Sequence, residues 1–210
     1  MSDVFLFPVY LCFVRNFWDI MKIGLFFGSF NPIHVGHLII ANTMAYTTDL
    51  EQVWFIVSPQ NPFKKNKGLL HEFDRLTMVE KAISDNYRLK ASDIEFSMPK
   101  PSYTIDTLTK LAERHPTHEF KLIMGEDNLV QFENWKNYDK ILEYYELYVY
   151  PRPNTPAHQF KEHPKVKFIE APLLDISATF IRNSIKAGKP IRYMVSDIVE
   201  EYIRWKKFYL

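Results

Sequence analysis

A single cysteine, Cys12, in 210 residues excludes an intrachain disulfide framework and any zinc site built from several cysteines. Charge of one sign is missing too. The 26 Lys and Arg against 25 Asp and Glu leave a net +1, which sets up no global field for nucleic acid or an acidic membrane. Neither is expected as a partner, and any anionic ligand has to be caught by local geometry. No apolar run is long enough to span a bilayer: the stretch 4–14 is short and broken by Pro8. Asp3 precedes that stretch and no small-residue cleavage site follows it, so it does not read as a secretory signal. The expected compartment is the reducing cytoplasm. Internal repeats, low-complexity tracts and linkers are absent, and a chain of this length then holds one substantial core. Both common phosphate loops are missing as well: there is no Gly-Lys-Ser/Thr ending of a P-loop and no three-glycine dinucleotide fingerprint.

Aromatic side chains are plentiful, with 17 Phe and 12 Tyr, and exclude a disordered chain. Residues 1–20 are unlike the rest and form a leader. It reads either as an upstream extension of a chain that naturally starts at Met21, the favoured reading, or as an apolar arm that docks on a partner. From Met21 onward, short β-rich runs (22–27, 53–58, 119–124, 147–150 and 166–170) alternate with amphipathic stretches (35–46, 72–84, 104–115). That alternation predicts an α/β fold, a Rossmann-like doubly wound parallel sheet in a single domain closed by C-terminal helices. In the stretch 104–115, Ile105, Leu108, Leu111 and Ala112 are expected on one buried face. A helix over 177–187 carries its own punctuation, with Ser177 as N-cap, Gly188 just past the end and Pro190 beyond. The last helix presents Val195, Ile198, Val199, Tyr202 and Ile203 as an apolar stripe, with Asp197 and Glu200 in its first turn and Lys206 and Lys207 in its last.

The segment GSFNPIHVGHL, from Gly28 to Leu38, joins the first strand to the first helix. In an open α/β sheet that is where ligands bind, beyond the carboxyl end of a strand. Gly28 lets backbone approach a ligand, and the N–H groups opening the helix favour an anion. His34 and His37, three residues apart, can face one ligand, and imidazole donates to phosphate oxygens whether neutral or charged. A His pair at this spacing is also compatible with solvated surface or with half of a metal site. The strand–loop–helix context separates these readings.

With four further segments in the same order, SPQNPFKK (58–65), PSYTIDTL (101–108), MGEDNLVQFENW (124–135) and DISATFIRNSI (175–185), this segment resembles the nucleotidylyltransferases with a His-x-Gly-His motif. Within them it is most similar to the nicotinate-nucleotide adenylyltransferases. The resemblance spans 21–210, which becomes the expected nucleotidylyltransferase domain. The activity it implies is transfer of AMP from ATP to nicotinate mononucleotide, giving deamido-NAD and pyrophosphate. Alternative acceptors are nicotinamide mononucleotide and phosphopantetheine, and a non-catalytic nucleotide sensor is the reading from another class. The acceptor is a phosphate with a second pKa of about 6, already ionised at neutral pH, so no protein base is required. Catalysis then rests on positioning and charge neutralisation. The resemblance also implies Mg²⁺ as cofactor, held mainly by ATP phosphates and water, with no dedicated protein metal site.

The resemblance assigns His37 first, then His34 and Arg182, to catalysis at the phosphates. It places Gly28, Ser29 and Phe30 along the nucleotide cleft, and Gly125 and Asp127 against the adenosine or a ribose. Ser177, Thr179 and Arg182, at the start of one helix, converge on a phosphate. The family usually has Ser-Ser-Thr there and this chain has Ser177-Ala178-Thr179, so one hydroxyl is lost. Lys64 or Lys65 would reach a phosphate, and Trp135 would stack on the pyridine ring. Thr104 and its neighbouring backbone would bind the nicotinate carboxylate, with Asp106 joining them or organising the loop, and Arg152 would meet an acidic substrate group. A homo-oligomer is compatible with the family.

Overall fold

The computed structural model describes residues 20–60 and 68–210. The expectations for the leader through residue 19 and for Lys64 and Lys65 lie outside the described residues. Six parallel strands form one sheet in the order β3-β2-β1-β4-β5-β6. They are β1 (Met21–Gly28), β2 (Gln52–Val57), β3 (Leu89–Ser92), β4 (His118–Gly125), β5 (Glu146–Tyr150) and β6 (Val166–Phe168). The helices are α1 (Val35–Thr47), α2 (Glu72–Ala82), α3 (Thr104–Arg114), α4 (Glu126–Leu129), α5 (Tyr138–Tyr144), α6 (Ala178–Lys186) and α7 (Asp197–Lys206). None of the described helices is long and apolar enough to cross a membrane.

Side chains alternate across the central strands and fill two cores, one on each face of the sheet. Val53, Phe55 and Val57 of β2 pack with Ile40, Met44, Met78, Val79, Ile181, Val199 and Ile203 on the face covered by α1, α2, α6 and α7. Trp54 and Ile56 point the other way and pack with Ile23, Leu25, Leu108, Leu111, Leu122, Ile141 and Val149 beneath α3 and α5. Ile23, Leu25, Phe55, Ile56 and Leu147 are fully buried, and each such side chain contributes roughly 2–3 kcal/mol by leaving water. This double-sided burial is why the strands read as near-continuous apolar runs.

The doubly wound sheet agrees with the sequence-based expectation, while α4 and α5 were not expected, Lys207 lies just past α7 rather than in its last turn, and three further details differ. The edge strand β3 was not expected: Leu-Lys-Ala-Ser has one large apolar residue, and its pairing with β2 supplies what the pattern lacks. In α3, Ala112 is exposed, and the buried face turns instead through Ile105, Thr107, Leu108 and Leu111 because Thr107 bonds a buried carboxylate. In α7, Val199 and Ile203 are buried while Ile198 is 41% exposed, so the stripe is narrower than the apolar spacing suggested. The α6 punctuation is as expected, with the Ser177 hydroxyl accepting from the Phe180 N–H at 3.2 Å and Gly188 at φ +66° just past the end.

β1 and β4 lie side by side at the sheet's centre, and the chain runs outward from each in opposite directions. Such a switch point opens a crevice beyond the strands' carboxyl ends.

Candidate active site

At that switch point lies a cleft of about 650 Å³, walled by the loop after β1, the turn after β4, the segment after β5 and the start of α6. Phe30 is its floor. Its backbone is left-handed (φ 44°) and its ring is 2% exposed, set edge-on to Phe55 at 5.3 Å and to His37 at 5.1 Å. A Cβ on Gly28 would stand 2.7 Å from that ring, so only glycine leaves room for this packing.

His34 occupies the N-cap position of α1, and its ring stacks on that of His37, centroids 3.7 Å apart. The His37 Nδ1 accepts from the His34 backbone N–H at 3.3 Å, which leaves the ring proton of neutral His37 on Nε2. His34 is 7% exposed, and burial, with the Arg152 charge nearby, depresses its pKa from 6.5 to about 4. It is therefore uncharged at neutral pH, a hydrogen-bonding group rather than a cation. Its Nδ1 is buried with no hydrogen-bond partner among the described residues.

Across the cleft, β4 ends at Gly125, whose backbone lies against the Tyr150 ring and Arg152. Asp127, on α4, is exposed and stands 3.8 Å from Arg152. The Arg152 guanidinium lies over the Tyr150 ring at 5.0 Å, and its Nε is buried without a hydrogen-bond partner among the described residues. Glu126 steadies this segment by accepting from the Arg152 N–H at 3.3 Å, and it sits 3.4 Å from His158 Nε2.

The third wall carries Ser177, Ala178, Thr179 and Arg182. Arg182 donates to the Asn31 carbonyl at 2.8 Å and to the Thr179 hydroxyl at 3.1 Å, which fixes its fork over the loop after β1. Asn31, 5% exposed, ties that loop further: its amide donates to the Gly68 carbonyl at 2.9 Å and accepts from the Tyr209 hydroxyl at 2.8 Å.

A second pocket of about 110 Å³ adjoins the cleft and shares Phe27, Gly28, Asn128 and Trp135 with it. Thr104, Ser102, Tyr103 and Lys136 line it, and Trp135 leans on Phe132 at 5.3 Å. Asp106 does not line it. Its carboxylate pairs with Lys136 at 2.8 Å, so Asp106 touches the pocket only through that lysine. Beneath lies Glu95, 2% exposed, accepting from Ser102 and Thr107 hydroxyls, both at 2.7 Å. Burial raises its pKa.

The structure thus gathers Gly28, Ser29, Phe30, His34, His37, Asp127, Arg152, Ser177, Thr179 and Arg182 in the larger cleft, with Gly125 directly behind it. Thr104 stands in the smaller pocket, and Trp135 in the wall between the two. Sequence reasoning missed Asn31, Glu95, Asn128 and Lys136. Asn31 and Asn128 lie inside quoted motif segments and were within reach, whereas Glu95 and Lys136 have no spacing that marks them. The larger cleft offers N–H and hydroxyl donors with one carboxylate, Asp127, so its donor set suits phosphate oxygens; among the described residues no three His, Cys, Asp or Glu side chains converge as metal ligands.

An open parallel sheet with a donor-lined switch-point cleft is the frame of a nucleotide-binding protein, and residues 25–184 match the cytidylyltransferase-like family, to which the chain belongs. A probable nicotinate-nucleotide adenylyltransferase of Cytophaga hutchinsonii is 65% identical over 189 residues, covering 90% of this chain and 98% of that protein. One of the same description from Flavobacterium johnsoniae is 54% identical over 191 residues, covering 90% and 99%. Within the wider family the chain is a member of the nicotinate-nucleotide adenylyltransferases. In fold it is similar to the Plasmodium falciparum nicotinic acid mononucleotide adenylyltransferase complexed with NaAD, at TM-score 0.77 and 20% identity, over 90% of this chain and 97% of that one.

Proposed function

We propose that the chain transfers AMP from ATP to nicotinate mononucleotide, releasing pyrophosphate and forming deamido-NAD. The observation that carries the reading is the pair of adjoining pockets, a large donor-lined cleft for a nucleoside triphosphate and a smaller one beside Trp135 for a flat ring. An oxygen of the mononucleotide phosphate attacks the α-phosphorus as the bond to the β-phosphate breaks, and the electron pair leaves on pyrophosphate. That oxygen is ionised at neutral pH, with a second phosphate pKa of about 6, so no side chain has to remove a proton.

Each side chain has a defined task. His37 donates from Nε2 to the α-phosphate as its charge shifts, and neutral His34 donates beside it. Arg182, the Thr179 hydroxyl and the first turn of α6 bind the leaving pyrophosphate. Trp135 stacks on the pyridine ring, and Thr104 with its neighbouring backbone binds the ring carboxylate. Arg152 faces the acceptor's phosphate, and Lys64 and Lys65 are assigned to phosphates on the motif alone. Asp127 is the carboxylate of the cleft that would stand nearest a Mg²⁺ brought by ATP; such an ion would be held mainly by phosphate oxygens and water and would supply charge neutralisation on the leaving group. The reaction belongs in the cytoplasm, in keeping with a single cysteine.

The test is a mass-spectrometric assay of the purified chain with ATP and Mg²⁺. Nicotinate mononucleotide, nicotinamide mononucleotide and phosphopantetheine are offered in parallel. Deamido-NAD is the expected dominant product. Product from another acceptor keeps the chemistry and changes the substrate, and ATP binding without product points to a sensor.

A further inference from the structure

Arg75, on α2, is fully buried, the largest side chain to be so among the described residues. A guanidinium in the interior needs partners for its N–H groups, and the usual partner is a carboxylate. Here, among the described residues, it donates only to backbone carbonyls: Ser29 at 2.6 Å, Ser58 at 2.7 Å, Leu70 at 2.9 Å and Pro59 at 3.2 Å. The nearby Glu72 carboxylate bonds Lys100 instead, at 2.6 Å.

Those carbonyls belong to the walls of different pockets. Ser29 lines the large cleft, and Ser58 lines the small pocket. Pro59 directly follows Ser58, and Leu70 leads into α2. A single rigid fork, one of whose nitrogens serves both Ser29 and Ser58, therefore spans the loop that faces ATP and the strand end that faces the acceptor. By backbone alone the two sides are tied through the β1–β2 ladder, which runs to Gly28 and Val57, and through the Ser58 N–H to Gly28 carbonyl bond at 2.9 Å just beyond it.

We infer that Arg75 is a positioning residue for adenylyl transfer, holding the ATP loop and the acceptor-side strand end in one register so that the attacking phosphate meets the α-phosphorus at reacting distance. This rests on the function proposed above. A residue of this kind leaves each substrate's own contacts in place and governs the gap between them. In-line displacement is sensitive to that gap, with a misplacement of about 1 Å costing on the order of 100-fold in rate.

The test is Arg75→Lys, which keeps the charge but replaces the planar fork with a point donor. With far-UV circular dichroism unchanged, the affinities for ATP and for the mononucleotide, each measured alone, are expected to stay within about 3-fold, while kcat falls at least about 30-fold. An unchanged kcat in the folded variant overturns the inference. So does a loss that merely follows the fraction of folded protein. A second measurement uses the unmodified chain, so a variant that fails to fold does not end the test: the exchange of the Arg75 Nε–H with solvent is followed by NMR. Strong protection is expected, deepening about tenfold or more when a non-cleavable ATP analogue and the mononucleotide are both bound. Exchange that does not respond to the pair overturns the inference. Failure of the underlying reading looks different, because the unmodified chain then makes no deamido-NAD at all.

Discussion

The two ends of the sheet treat charge in opposite ways. At the amino ends of the strands, Lys121 is 3% exposed and fully engaged, 2.7 Å from Glu146, 3.1 Å from Asp49 and 3.0 Å from the Tyr148 hydroxyl. Asp49 also binds Lys22 at 2.7 Å, and Lys167 closes on Glu146 at 2.8 Å. At the carboxyl ends, His34 and Arg152 each carry a buried nitrogen with no hydrogen-bond partner among the described residues. The first cluster closes on itself and leaves no room for a ligand, whereas the second borders a cleft that a ligand can enter.

Four measurements test this division, taken from the largest expected effect to the smallest. His37→Ala is expected to lower kcat at least about 100-fold while ATP still binds in a direct titration, because one donor to the transition state is lost. Unchanged turnover would remove His37 from the chemistry. At the opposite end, Lys121→Met should lower stability by about 2 kcal/mol and leave kcat within about twofold. That figure lies below the value for a fully buried pair because Asp49 and Glu146 are partly exposed. Denaturant unfolding beside a kinetic assay decides it, and a loss of activity without a loss of stability would break the division.

Trp135→Ala should raise the KM for the mononucleotide roughly tenfold and leave the affinity for ATP nearly as it was, as expected for a lost aromatic stack. Equal weakening of both substrates would assign Trp135 to the frame rather than to the ring. The smallest effect concerns His34. Its folded pKa of about 4 lies below 6.5, so His34 stays unprotonated in the free protein at pH 5.5, and an anionic phosphate beside it must raise that pKa. ATP binding at pH 5.5 should then take up on the order of a few tenths of a proton, read by calorimetry in two buffers of different ionisation enthalpy. The same depression has a cost without ligand: as pH falls from 6.5 toward 4, the unfolded chain binds a proton that folded His34 refuses, and stability declines. Asp49, held below the usual carboxylate range by Lys22, Tyr148 and Lys121, and Glu146, held below it by Lys121 and Lys167, add to that loss below about pH 4.

The parts of the molecule that were legible in the sequence are those whose pattern is local. The β1 run and GSFNPIHVGHL could be placed because a strand, a loop and a helix follow one another within a few residues. The α6 caps were legible for the same reason. Edge strand β3 was not, since Leu89 is its one large apolar side chain and its partner is a distant segment. Arg75 and Glu95 look like surface residues in a helical stretch and a polar loop. Their burial is decided by four carbonyls and two hydroxyls that the fold brings from elsewhere. Asp106 reads as a site candidate from its own segment, but its pairing with Lys136 across 30 positions could not be read from either segment.

The wall that the two pockets share, formed by Phe27, Gly28, Asn128 and Trp135, has a consequence for how a catalytic cycle ends. On the function proposed above, two substrates enter as separate molecules and can leave one at a time. Once joined, they are a single bivalent ligand whose halves occupy neighbouring compartments, and while one half is seated the other is held at high local concentration over its own pocket. Dissociation then requires both grips to loosen together. The arrangement that brings the reactants into contact is also the one that slows the departure of what they become.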